Sequence, residues 1–488
     1  MELLLGVDPQ SDAALHRQVY DGLRSAILNG RLRAGEKLPA TRALAERLSL
    51  SRSTVTEAYD QLQAEGYIEG RHGSGTYVAS NLPEEAHPPA PPPLRAEASP
   101  PIHLSQWGNR VLAQAPGRTG SATTPDGYRY DFRPHQVAQD VFPWEAWRVS
   151  VDRALGRGHE TLFYSPAAGH PPLQAAIAQH VATHRGVICS PDQVAIVNGT
   201  QQGLNLLAEL LLDSGDSVAV EDPGYPAARM ALEARGLDVS RIPVDGDGMI
   251  VEQLSEWGPF RLIHVTPSHQ DPTGATLSLA RRLALLEEAE RAQSVIVEDD
   301  YDSEFRYEGR PVESLQGLSG GENVVYAGTF SKSVLAGLRI GFLVLPRRLV
   351  APFAAAKALW DSGAPMLEQV ALVEFMRSGH FERHIRRMRR LYRARRDAIV
   401  KGLEDAFGDR ARVGERHGGL NVLVTLSVPL AESEISARAA RVGIGLRAAG
   451  GYYAHPPPEP TFLMGFGAMS EEGIHAGVCA LAEAIGKA

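Results

Sequence analysis

The chain has 488 residues, 43% hydrophobic and 22% charged, with 49 Lys and Arg against 58 Asp and Glu, a net charge of -9 that confines any nucleic-acid contact to a local patch. This is the composition of a folded globular protein of about three domain-sized pieces; it excludes a disordered or collagenous chain, and no apolar run reaches the roughly 18 residues of a membrane-spanning helix. Two cysteines far apart, Cys189 and Cys479, exclude a disulfide framework or a zinc site built from cysteine, and with no signal peptide at the N-terminus they predict a cytoplasmic protein.

Along the first 80 residues, Leu15, Val19, Leu23, Ala26 and Ile27 recur at helical spacing until Asn29-Gly30 stops the pattern. Leu44, Ala45 and Leu48 predict a short second helix. The turn Ser49-Leu50-Ser51-Arg52 leads to a third, whose inner face is Val55, Ala58, Tyr59 and Leu62. Tyr67-Ile68 and Tyr77-Val78 then flank a Gly-containing turn, the pattern of a two-stranded wing. Arg52, Ser53 and Thr54 open the third helix, where side chains enter a major groove, and Arg42 and Lys37 stand where phosphates would lie; a solvated helix face has the same composition. The ordered run GEKLPATRALAERLSLSRSTVTEAYDQLQAEGYIEGRHGSGTYV resembles the winged helix-turn-helix of the GntR regulators. That resemblance implies binding to a double-stranded DNA operator through Arg52, Ser53, Thr54, Arg42 and Lys37.

Residues 81–101 hold eight prolines, which lack the backbone donors a packed core needs. As polyproline II this stretch holds its flanks up to roughly 60 Å apart. We therefore divide the chain into a small domain at 1–80, a Pro-rich linker at 81–101 and a large domain at 102–488.

In the large domain, short β-branched runs at 194–197, 218–220, 262–265, 295–297, 324–327 and 342–345 alternate with helical patterns such as Leu204, Leu207, Ala208 and Leu211. This predicts a mainly parallel sheet covered by helices, with ligands at the strand C-termini. Three of the following loops carry chemistry. Asn198-Gly199-Thr200-Gln201 opens a helix and suits a phosphate, although a tight turn needs glycine equally. Glu298-Asp299-Asp300-Tyr301-Asp302 places a carboxylate and a phenol at a strand end, a pattern shared with acidic turns and magnesium sites. Gly328-Thr329-Phe330-Ser331-Lys332 precedes Arg339 by seven residues.

Their order along one sheet resembles the fold-type I aminotransferases, α/β enzymes that bind pyridoxal 5′-phosphate. The resemblance implies that Lys332 bonds the cofactor's aldehyde and is the catalytic residue, that Asp299 keeps the pyridine nitrogen protonated, and that Tyr301 bonds the phenolic oxygen. It further implies a phosphate held by Gly199, Thr200, Gln201, Thr329 and Arg339, a ring stacked on Tyr225, and Tyr164 reaching across a dimer. Two departures stand out. Asp271-Pro272-Thr273-Gly274 replaces the usual Asn-Pro-x-Gly, and the late strand Thr461-Phe462-Leu463-Met464-Gly465-Phe466 lacks the Arg that receives a substrate carboxylate, leaving Arg229 or Arg447 as substitutes. Between these lies a segment, 383–396, with eight arginines over a buried face of Ile385, Met388, Tyr392 and Ile399; it reads as a solvated basic helix or an auxiliary DNA surface.

A GntR-like winged helix (α+β), a Pro-rich linker and a fold-type I domain (α/β) together resemble the MocR-type regulators. The family implies a head-to-tail homodimer that binds operator DNA and senses an amine, an amino acid or a B6 vitamer, without metal or membrane. The alternative is an active aminotransferase with an accessory DNA-binding domain.

Overall fold

The computed structural model describes residues 7–8, 11, 13–71, 74–82, 102–114, 127–134, 136–158, 166–309 and 313–486. The chain divides into two units after His103.

In the N-terminal unit each helix is built on one apolar stripe. Helix α1 (Leu15–Leu28) buries Val19, Tyr20, Leu23, Ala26 and Ile27. Helix α2 (Thr41–Leu48) buries Leu44 and Ala45 and stops at Ser49, whose left-handed φ of 53° turns the chain. Ser51 then caps α3 (Arg52–Ala64), its Oγ accepting from the Thr54 N–H at 3.1 Å, a cap that contributes about 1 kcal/mol. Val55, Ala58, Tyr59 and Leu62 of α3 complete a core with Leu32, Leu38 and Ile68, each large side chain contributing about 1.5–3 kcal/mol through burial. Strands β1 (Ile68–Arg71) and β2 (Gly75–Val78) pair antiparallel, Ile68 opposite Val78, and form the wing.

In the second unit, β3 (Tyr130–Asp131) is followed by β4 (Val194–Val197), β5 (Ser217–Asp222), β6 (Asp238–Asp245), β7 (Gly248–Met249), β8 (Leu262–Val265), β9 (Val295–Asp300), β10 (Val324–Thr329) and β11 (Gly341–Val344). Eight of these form one sheet in the order β4-β11-β10-β9-β8-β5-β6-β7. Strands β10, β9, β8, β5 and β6 run parallel, while β11 is antiparallel to both of its neighbours. Both faces are covered: Ala195 and Val197 pack with Leu204 and Leu207, whereas Val194 and Ile196 pack with Ile177 and Val181. Such two-sided burial explains the near-continuous apolar runs.

Strands β9 and β6 show how the sheet departs from expectation. The run at 295–297 continues through Asp299 and Asp300, because these pair with Ala327 and Gly328 of β10. Strand β6 was not anticipated; most of its residues are half-buried or exposed, so its apolar signal is weak.

The C-terminal part carries β12 (Ala411–Val413), β13 (Asn421–Leu426), β14 (Ile444–Gly445) and β15 (Thr461–Gly465); β12, β13 and β15 form an antiparallel sheet and β14 pairs with β3. The arginine-rich segment lies in helix His380–Phe407, with Ile385, Met388, Tyr392 and Ile399 buried as predicted. Neither reading of its arginines covers all eight. Arg395 and Arg396 are buried, donating to the carbonyls of Gly467 and Arg416, whereas Arg386, Arg387, Arg390 and Arg393 are exposed. Among the described residues no helix is long and apolar enough to cross a membrane.

Candidate functional site

Parallel strands deliver their C-terminal ends to one edge of a sheet, and there β9, β10 and the start of helix Thr200–Leu211 enclose a cavity of about 340 Å³. Gly199, Thr200, Gln201, Tyr225, Asp299, Tyr301, Thr329, Lys332 and Arg339 all line it. Tyr164 lies outside the described residues. Ser331, named in the lysine motif without a role, lines the cavity, as do Ala227, Thr266 and Ala336, which sequence reasoning missed because they carry no distinctive pattern. Asp271, singled out only as a departure, lines it too.

One end is built for an anion. Gly199 caps helix Thr200–Leu211 without a side-chain acceptor, leaving the positive helix end open. Its φ is +89°, and a Cβ there would come within 2.6 Å of the Arg339 guanidinium, so only glycine lets Arg339 close over the turn. Arg339 donates to the Asn198 carbonyl at 3.0 Å. The turn is braced from behind by Asp361, which accepts from Asn198 Nδ2 at 3.1 Å, Gln202 Nε2 at 2.6 Å and the buried Lys357 Nζ at 2.7 Å. Across the cavity, Thr329 Oγ1 accepts the Ser331 N–H at 3.1 Å and fixes the loop that carries Lys332.

The other end collects acid groups. Asp299 is buried on β9; its Oδ2 lies 3.5 Å from His264 Nε2, and its Oδ1 meets no hydrogen-bond partner. Burial pushes the Lys332 amine down to about 8, against the pull of the Asp302, Asp271 and Asp299 carboxylates. That makes a far larger neutral, nucleophilic fraction than a free lysine has. Burial likewise pushes the Asp271 carboxyl up to about 7, aided by Asp302 and opposed by His269 and Lys332. The Tyr301 hydroxyl lies 3.1 Å from His269 Nδ1, and that nitrogen is 3.0 Å from Asp302 Oδ2. Burial holds the Tyr301 hydroxyl well above its ordinary range, so it stays protonated.

The departures persist in three dimensions. Strand β15 is buried along its whole length and carries no cation. Neither Arg229 nor Arg447 lines the cavity: Arg229 is engaged by Glu233 at 3.0 Å, and the Arg447 side chain is exposed.

On the winged helix, Arg52 and Ser53 are exposed and Thr54 is half-buried at the head of α3. The Ser53 and Thr54 hydroxyls lie 2.8 and 2.7 Å from Ser51 Oγ, so the cap engages them and Arg52 is the free projecting side chain of the three. Arg42 is exposed and pairs with Glu46 at 3.3 Å. Lys37 bridges to β2 at Tyr77, with its Nζ 5.7 Å from the ring, and Arg71 lies over the same ring at 4.7 Å. The sequence reading placed Arg71 in the turn; it instead ends β1 opposite Gly75.

Residues 15–78 match the bacterial regulatory proteins of the gntR family, and residues 135–472 match the class I and II aminotransferases. A probable rhizopine catabolism regulatory protein, MocR, of Rhizobium meliloti is 39% identical over 99% of this chain and 96% of its own. The HTH-type transcriptional regulator TauR of Rhodobacter capsulatus is 35% identical over 81% of each. Among solved structures, the α-aminoadipate aminotransferase LysN of Thermus thermophilus, complexed with N-(5′-phosphopyridoxyl)-L-leucine, is similar with a TM-score of 0.71 and 28% identity, covering 78% of this chain and 97% of its own.

Proposed function

This chain belongs to the MocR-type transcriptional regulators, which join a GntR winged helix to an aminotransferase fold, and on that premise we propose that it binds pyridoxal 5′-phosphate around Lys332 and couples that site to operator binding. In this reading residues 1–80 bind DNA, 81–101 link, and 102–488 sense a small molecule and dimerise head to tail, in the cytoplasm. The observation that carries the cofactor assignment is the conjunction in one cavity of Lys332, an Asp299 oxygen without a partner, and the Gly199–Arg339 turn. These residues fit the group: the turn and the open helix end suit a phosphate, and the orphaned Asp299 oxygen suits a protonated ring nitrogen.

When bound, pyridoxal phosphate supplies an aldehyde that condenses with amines and a ring that withdraws electrons. Lys332 brings a partly neutral amine, Asp299 holds a proton at the ring nitrogen, Tyr301 donates from a hydroxyl that burial keeps protonated, and Tyr225 forms a wall of the cavity. The cavity has Asp271 and Asp299 but no β15 cation, which favours an effector over ordinary transamination: an amine or amino acid recognised through its amine, or a B6 vitamer taking the cofactor's place. A second copy has a surface to cover: Leu359 is 92% and Trp360 53% exposed, immediately before the Asp361 that braces the anion turn.

On DNA, Arg52 reads a base edge while Arg42 and Lys37 meet phosphates. The test is an operator titration of wild-type protein and Lys332→Ala at fixed salt, with and without cofactor and amines. The expected result is a ligand-dependent shift of about 1–3 kcal/mol in the wild type, with loss of the visible cofactor band and of the shift in the variant. No shift with any ligand, or an equal one in Lys332→Ala, rejects the coupling.

A further inference from the structure

Outside that cavity, the last two turns of helix Pro171–Arg185 and the first turn of helix His380–Phe407 bring together a cluster that the proposed cofactor site does not use. His180 and His184 are four residues apart, so they rise from one helix face. Glu382 sits against both: its Oε1 lies 3.1 Å from His180 Nδ1 and its Oε2 lies 3.4 Å from His184 Nε2. We propose that His180, His184 and Glu382 bind a divalent transition-metal ion of the zinc class, with Glu304 orienting His180 from behind.

Four observations support the assignment. One donor atom from each of the three residues lies within 4.8 Å of the others, and the two histidine–carboxylate distances of 3.1 and 3.4 Å match the spacing of about 3.3 Å between neighbouring ligands of tetrahedral zinc, so the third edge closes with a side-chain adjustment. Two imidazoles with one carboxylate select zinc, nickel or copper over magnesium or calcium, which prefer oxygen alone. The far ring nitrogen of His180 lies 3.9 Å from Glu304 Oε1, so a carboxylate stands behind a candidate ligand at ion-pair distance, where a small shift would make the hydrogen bond that orients histidines at metal sites. Finally, the His180 side chain is 8% exposed, while those of His184 and Glu382 are each 37% exposed, so an ion bound there keeps an open side. Both histidines and Glu304 also line a second cavity of about 230 Å³.

The site would cross-link elements that support the first cavity. Arg185, next to His184, donates to Asp300 Oδ2 at 2.7 Å, and Asp300 follows Asp299 on β9. Glu304 lies in the turn just after that strand.

The test is a zinc titration of chelator-treated full-length protein against a chromophoric competitor, with magnesium as control. The expected result is one zinc per chain, no response to magnesium, and at least tenfold weaker zinc binding in His184→Ala and in Glu382→Gln. Glu304→Gln should weaken it by roughly tenfold as an orienting residue. Far-UV circular dichroism confirms that each variant is folded. Zinc-edge anomalous diffraction from wild-type crystals locates the ion independently of any variant. Absence of saturable zinc binding, a folded His184→Ala/Glu382→Gln double variant within twofold of wild type, or an anomalous peak elsewhere, as at His475 and Cys479, overturns the proposal.

Discussion

On the winged helix, Arg52 and Lys37 stand in water and Arg42, with a side chain 81% exposed, meets only a surface glutamate. In the large unit, Asp299 and Asp271 line the cavity and are buried; the first leaves one oxygen without a partner, and burial pushes the second up to about 7. Exposed cations cost almost nothing to maintain, and their attraction for phosphate grows through counterion release. Buried carboxylates cost folding energy, so a ligand that supplies the missing donors binds with a gain that the apoprotein lacks. One region therefore stores no strain and acts by exposure; the other is destabilised until filled.

The sharpest way to break this contrast is Asp271→Asn. Since its carboxyl is raised from 3.8 to about 7, the folded apoprotein binds more protons than the unfolded chain across that window, and stability falls as pH rises through it. Removing the carboxyl should make that decline shallower and stabilise the apoprotein above pH 7 by on the order of 4 kcal/mol. Denaturant melts between pH 4 and 8 check this; an unchanged pH profile means the site is not destabilised by that charge.

A smaller effect is expected at the exposed surface. Arg52→Ala should leave the fold intact and cost about 1–3 kcal/mol on the operator, with relaxed discrimination at one base position. Competitive binding against point-mutated operators measures it, and equal discrimination with and without the side chain removes Arg52 from base reading. Smallest of all, Lys37→Ala should weaken every duplex alike and lower the salt slope by about 1. A titration series in salt separates this from sequence readout; an operator-specific loss would make Lys37 a base contact instead.

Much of the fold was legible because its signals are local. The stripe Val19, Leu23, Ala26, Ile27 and the inner face of α3 are periodic within single segments, and both are buried as the period demands. The β-branched runs likewise marked six of the sheet's strands, and the loops after five of them line the cavity. What escaped was set by partners distant in sequence. Asp299 belongs to a strand because β10 pairs with it. Arg395 and Arg396 resemble their exposed neighbours in composition, yet their position on the helix turns them onto Gly467 and Arg416.

The cluster of His180, His184 and Glu382 divides along the same line. The i, i+4 histidines are visible in the chain, whereas Glu382 is 198 residues from His184 and meets it only through helix packing. Sequence alone determined the winged helix, the mainly parallel sheet and the order of cavity-lining loops, because hydrophobic period and turn chemistry act over a few residues. Tertiary structure decided which polar groups are buried, which are paired and which are left without a donor, because desolvation depends on everything that packs around a group. That is why the lowered amine of Lys332 and the raised carboxyl of Asp271 belong to the folded molecule and not to the motifs that contain them.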